Sequence, residues 1–99
     1  MEEIKDIGKI INDRCEADKN TIYDYMNNLV SARPELKNPP ELLPDIILSK
    51  IRELNLFTIT PEEESEADLI NQGSRKRVEE YAKMVSKELA EDIIKGLPL

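Results

Sequence analysis

The sequence contains no histidine and no tryptophan, and it has only one cysteine and one phenylalanine among its 99 residues. Without histidine, every catalytic triad or dyad that uses an imidazole base is excluded. No glycine-rich phosphate loop and no nucleophile elbow is present either. The single cysteine, Cys15, lies on the apolar face of a predicted helix, which is typical of a small core residue rather than a nucleophile. We therefore predict that the protein is not an enzyme and that it needs no cofactor or metal.

Long apolar segments are also missing. The longest aliphatic run is "IIL" at residues 46–48, far shorter than the roughly 20 residues of a membrane helix. The first ten residues, "MEEIKDIGKI", are charged throughout and do not resemble a signal peptide. Because a lone cysteine cannot form a disulfide within the chain, we expect a reducing, intracellular location.

What the sequence has is charge and aliphatic residues. Charged residues make up 35% of the chain, and 21 acids against 14 bases give a net charge of −7. The electrostatic field of this negative net charge repels nucleic acid and anionic lipid in general, although a local basic patch can override the repulsion. A hydrophobic content of 39% with 4% aromatics predicts a single domain, residues 1–99, of mainly α class with an aliphatic core.

Helical spacing of the aliphatic residues predicts four to five helices. The first covers residues 3–15 and ends at a polar turn, residues 16–20. The second covers residues 21–33, begins at a capping box of Thr21 and Asp24, and ends before Pro34. An ordered, proline-rich connection follows.

The second half of the chain carries clearer boundary signals. Leu43 to Leu54 predict the central helix, and "NLFTIT" predicts a short extended segment near residues 56–60. Thr60 followed by Pro61 is typical of a helix start, with acids in the first turn that complement the helix dipole. Val78 to Ile93 define the last helix, which ends at Gly96 and Pro98. Gly73 leaves open whether the last two helices are separate or continuous.

Two short charged segments are the candidate contact residues. The basic one follows Gly73 and the acidic one opens the preceding helix; together they comprise Arg75, Lys76, Arg77, Glu62, Glu63, Glu64 and Glu66. Three interpretations of the cations stay open: an ordinary solvated cluster, a contact with a protein or a second copy, and nucleic-acid binding.

We predict a protein-interaction module that self-associates with its helices antiparallel, so that the cations of one subunit approach the acids of the other. In a tight hairpin about Gly73, the cations would lie near residues 69–71 and the acids of the same chain would be out of reach. Leu69, Ile70 and Val78 would then supply the affinity of the homodimer.

Two alternatives use the same residues. Glu62 and Glu66 share a helix face and could hold a hard cation, but no calcium-loop motif accompanies them, so a solvated helix start is favoured. Residues 21–30 could instead be the recognition helix of a helix-turn-helix protein that binds nucleic acid through residues 75–77. That segment carries no cation, which favours a packing helix.

The bias toward Ile, Lys, Glu and Asn, the length and the lack of any motif resemble the small orphan proteins of filamentous and rod-shaped viruses of heat-loving archaea. The resemblance extends over the whole chain in composition and size only, so it assigns no functional residue. It implies a thermostable viral protein that acts in the cytoplasm of the infected host.

Overall fold

The structure, a computed structural model, describes residues 6–96. Within them lie four α-helices and no strand, which confirms the prediction of a mainly α domain. The helices are α1 (Ile7–Ala32), α2 (Leu43–Glu53), α3 (Pro61–Ile70) and α4 (Ser74–Lys95), with short 3₁₀ helices at Pro34–Lys37 and Pro40–Leu42 between α1 and α2. No helix among these residues is both long and apolar enough to cross a membrane.

The first helix is one continuous element, so the predicted turn at residues 16–20 is wrong. Asp6 caps it, since its Oδ1 accepts from the backbone N–H of Lys9 at 3.1 Å; the predicted residues 3–5 lie outside the described part of the chain. Residues 16–20 contain neither glycine nor proline, so nothing in the backbone interrupts the helix. Thr21 is therefore internal and donates to the carbonyl of Ala17 at 3.0 Å instead of forming a capping box.

The other boundaries follow the local signals. α1 ends before Pro34, and the proline-rich connection is ordered into the two 3₁₀ helices. α3 begins with a complete capping box: the hydroxyl of Thr60 accepts from the N–H of Glu63, while the Glu63 carboxylate accepts from the N–H of Thr60. α4 ends at Gly96, which has a φ of 69°; Pro98 lies outside the described residues.

Gly73 separates the last two helices. Its φ of 86° is a left-handed conformation that glycine adopts without the steric cost of a Cβ atom. A continuous helix over residues 61–95 is thus excluded. α3 and α4 are joined by residues 71–73 alone.

The predicted extended segment at residues 56–60 is a non-helical connection with no regular strand in it. Phe57 has a φ of 54°, which interrupts any extended run. Phe57 and Ile59 are both buried, and the Phe57 ring meets the ring of Tyr81 edge-on, with centroids 5.5 Å apart. The segment closes one side of the core.

The core is aliphatic, and α2 packs mainly against α4. Leu43 and Ile47 of α2 and Val85 and Leu89 of α4 have no exposed surface. Ile22 and Met26 of α1 are equally inaccessible, so residues 21–30 form a packing surface. The domain measures 53 × 24 × 20 Å.

Candidate interaction surface

The carboxylate of Glu63 is paired with Arg14 of α1. Its Oε1 accepts from Nη1 of Arg14 at 2.8 Å, and its Oε2 contacts the Nη2 of the same guanidinium. The hydrogen bonds from Arg14 and from the Thr60 backbone lower the pKa of Glu63 from its ordinary value of 4.5 to about 2. This carboxylate therefore locks α3 against α1, which makes it a structural group of the monomer.

Glu64 is paired with a cation of its own chain, so the prediction that the acids are out of reach is wrong. Nε of Arg75 donates to Oε2 of Glu64 at 3.0 Å, and its Nη2 donates to the carbonyl of Ile59 at 3.2 Å. One guanidinium thus reaches both the first turn of α3 and the connection before it. Arg75 thereby ties α4 to that connection.

Arg77 explains why cations open a helix, where the helix dipole disfavours them. Its guanidinium turns back and donates to the carbonyls of Asn71 and Gln72, at 2.8 and 2.7 Å. These carbonyls follow the C-terminal end of α3, where a positive charge is favourable. Although Arg77 belongs to the first turn of α4, its guanidinium therefore caps the C-terminal end of α3.

Asp68 supplies the complementary charge at the same junction. Its Oδ1 accepts from the backbone N–H and from the hydroxyl of Ser74, at 3.0 and 2.6 Å. These two hydrogen bonds lower the pKa of Asp68. Since Gly73 has no side chain to cap α4, the carboxylate takes over that role from α3.

The remaining candidate residues stay exposed and form no ion pair among residues 6–96: Glu62, Glu66 and Lys76. Glu62 and Glu66 are one helical turn apart, and the same side of α3 continues into Leu69 and Ile70. Leu69 is 88% exposed and Ile70 is 80% exposed. We call these four residues the α3 face. Val78, by contrast, is buried and cannot contribute to a contact.

A groove runs beside this face between α1, α3 and α4. It has a volume of about 590 Å³, and Ile11, Cys15 and Ile70 are among the residues that line it. Cys15 is almost wholly buried there, and burial raises the pKa of its thiol. Both observations agree with a small core residue in the protonated state.

A second depression, which we call the α2–α4 cleft, lies between α2, α4 and the connection at residues 55–59. Its volume is about 390 Å³. Its apolar lining includes the half-buried Leu48 and Leu56 and buried residues such as Ile51. Its charged lining is Arg52, Arg75, Lys83 and Glu79. Arg75 is paired with Glu64, so Arg52 and Lys83 against the single acid Glu79 leave a small positive excess at this site on an acidic protein.

No group of three or more acidic or cysteine side chains within residues 6–96 is arranged to hold a metal ion. Glu62 and Glu66 thus have no third ligand of these types in that part of the chain.

Sequence reasoning missed two residues that position α3. Asp18 occupies a position on the buried side of α1 and accepts from the backbone N–H of Phe57 at 3.0 Å; Arg14 lies one turn earlier and holds Glu63. Both are polar residues beside the buried apolar positions of α1. Such a placement indicates that a polar side chain has a partner within the fold. Their partners lie 39 and 49 residues away, so the pattern alone could not identify them.

No protein-family model matches the chain, and comparisons with curated proteins and with solved structures found no match either. Function is therefore inferred from exposure, contacts and charge.

Proposed function

We propose that the protein is a non-enzymatic interaction module that self-associates through the α3 face. The observation that carries this proposal is the exposure of Leu69 and Ile70, at 88% and 80%. Exposed aliphatic residues are ordinary when they are single. Here two neighbours in sequence, on the last turn of a short helix, are both nearly free of contacts, and they adjoin an apolar groove.

The opposite side of α3 supports the same proposal, because it accounts for every other acidic residue of the helix. Glu63, Glu64 and Asp68 each have a partner within the chain. Only the α3 face has none among the described residues. A helix that is fixed on one side and presents acids followed by aliphatic residues on the other is suited to a protein partner.

Self-association predicts a concentration-dependent mass. We expect wild-type protein to form dimers and the variant Leu69→Ser with Ile70→Ser to bind itself at least about tenfold more weakly, since each aliphatic side chain loses about 1.5–3 kcal/mol of burial. Light scattering after size exclusion, over a concentration series, measures this. Circular dichroism should show an unchanged helical content, because neither side chain contributes to the core.

A matched control is available in Leu42→Ser with Ile94→Ser. These residues are 52% and 45% exposed and belong to other elements. This control should associate like the wild type. A wild type that stays monomeric at millimolar concentration would end the proposal, and equal weakening in the control would show that the effect is nonspecific.

Nucleic-acid binding is the second candidate, and one observation favours it. α3 and α4 are joined by three residues, and the first turn of α4 carries Arg75, Lys76 and Arg77, as in a helix-turn-helix motif. Residues 21–30, the first candidate for a recognition helix, belong instead to the interior of α1.

We expect nucleic-acid binding to be weak. Arg75 and Arg77 already donate to acceptors of their own chain, so Lys76 is the one cation of this cluster that is available to phosphate. Fluorescence anisotropy with duplex and single-stranded DNA and RNA should give dissociation constants above about 1 µM at roughly 0.15 M salt, with little effect of Lys76→Glu. Submicromolar binding with a steep salt dependence that is lost in Lys76→Glu would contradict the preferred proposal.

A further inference from the structure

The α2–α4 cleft has the chemistry that the α3 face lacks. Its lining combines aliphatic residues, among them the half-buried Leu48 and Leu56, with cations. Arg52 of α2 and Lys83 of α4 are exposed, and neither forms an ion pair among residues 6–96. Arg75 also lines the cleft, but its guanidinium is already paired with Glu64.

These two cations lie on an otherwise acidic protein. The chain carries a net charge of −7. At the cleft, Glu79 is the one acid among the lining residues. A partner for this site should therefore present carboxylates together with aliphatic side chains.

The α3 face of a second copy has this composition. Glu62 and Glu66 precede Leu69 and Ile70 on one side of a helix, so the four side chains lie along about 12 Å of its length. The acids complement Arg52 and Lys83, and the aliphatic residues complement the lining of the cleft. Both surfaces are exposed and present in equal amounts in any solution of the protein.

We infer that the α3 face of one copy docks into the α2–α4 cleft of another, with Glu62 and Glu66 beside Arg52 and Lys83. This inference rests on the proposed self-association and adds the surface that receives α3. Two such contacts, related by a twofold axis, close the dimer, so each copy contributes a donor helix and an acceptor cleft. The ion pairs set the orientation while the aliphatic residues supply the affinity.

Charge reversal tests the contact from both sides. The acid variant carries Glu62→Lys with Glu66→Lys, and the cleft variant carries Arg52→Glu with Lys83→Glu. In each variant like charges meet across the contact, so we expect each to self-associate at least about tenfold more weakly than the wild type. An equimolar mixture of the two should recover an affinity within about threefold of the wild type, because every contact in the mixed complex again joins opposite charges.

A control separates the local effect from net charge. Lys9→Glu with Lys37→Glu changes the net charge by the same amount as the cleft variant, and neither lysine lines the cleft. This control should associate like the wild type, by sedimentation or light scattering. Circular dichroism confirms that all variants are folded.

The outcomes distinguish the two proposals. If the wild type associates and the Leu69→Ser, Ile70→Ser variant does not, while the cleft variant associates normally, then α3 meets a different surface and this inference is wrong although self-association stands. If the wild type does not associate, both fall. If both charge variants are weakened but the mixture does not recover, the two surfaces do not contact each other and the inference is also wrong.

Discussion

Leu89→Ala should lower the free energy of unfolding by about 2–5 kcal/mol, because it empties a fully buried position at the centre of the core. Leu89 lies on α4 and has 0% exposed surface. Domains of this size have about 5–15 kcal/mol of stability in total, so the variant should unfold at a markedly lower urea concentration. Urea titration followed by circular dichroism measures the change.

Leu69→Ala is the matched control for this substitution, since it removes the same atoms from a side chain that is 88% exposed. It should change the free energy of unfolding by less than about 0.5 kcal/mol when measured at a concentration where the protein is monomeric. The two leucines should thus separate stability from association. If both substitutions lowered the free energy of unfolding by similar amounts, Leu69 would belong to the core, which would contradict its exposure of 88%.

Glu63→Gln should lower the free energy of unfolding at pH 7 by about 1–2 kcal/mol, a range that allows for solvent screening of the partly exposed Arg14. Glutamine can preserve the hydrogen bond of the capping box to Thr60. The substitution therefore tests mainly the charge and its pairing with Arg14, whose side chain contacts both carboxylate oxygens.

The stabilisation that Glu63 contributes should depend on pH. In the folded chain the pKa of Glu63 is lowered from 4.5 to about 2, so unfolding makes the carboxylate easier to protonate. The stabilisation is complete above about pH 4.5 and disappears as the pH falls through about 2. The wild type and Glu63→Gln should consequently differ at pH 7 and converge near pH 2. Parallel pH profiles would contradict the role of the pair, and Glu62→Gln, which removes an exposed acid from the same turn, should leave stability nearly unchanged.

The boundaries that sequence reasoning placed correctly are those set by local chemistry. Pro34 disfavours helical backbone before it, Thr60 and Pro61 build a helix start, and Gly96 ends α4 in a left-handed conformation. Each of these depends on residues within one turn of the boundary. Apolar spacing also identified the buried side of α2, where Leu43, Ile47 and Ile51 recur at intervals of four residues.

Errors arose where a distant partner decides the outcome. Four of the five residues at 16–20 are polar and resemble a turn, yet one of them, Asp18, accepts a hydrogen bond from the distant backbone N–H of Phe57. The pair of Arg75 and Glu64 joins residues on two different helices across the turn at Gly73, and no local pattern indicates it. The α3 face was only half predicted for the same reason: sequence indicates which residues of α3 are apolar or acidic, but packing of Glu63 on α1 decides which side faces solvent.

The length of α1 has a consequence for how the molecule moves in solution. An uninterrupted helix of 26 residues is about 39 Å long, so in a domain of 53 × 24 × 20 Å its axis must be inclined toward the longest dimension. The amide N–H bonds of a helix point along its axis, so those of α1 lie near the long axis of the molecule. They are therefore reoriented mainly by its slow end-over-end tumbling. Rotational diffusion is thus anisotropic, and the backbone ¹⁵N nuclei of α1 should show faster transverse relaxation than those of the connection at residues 55–59, whose bonds point in several directions.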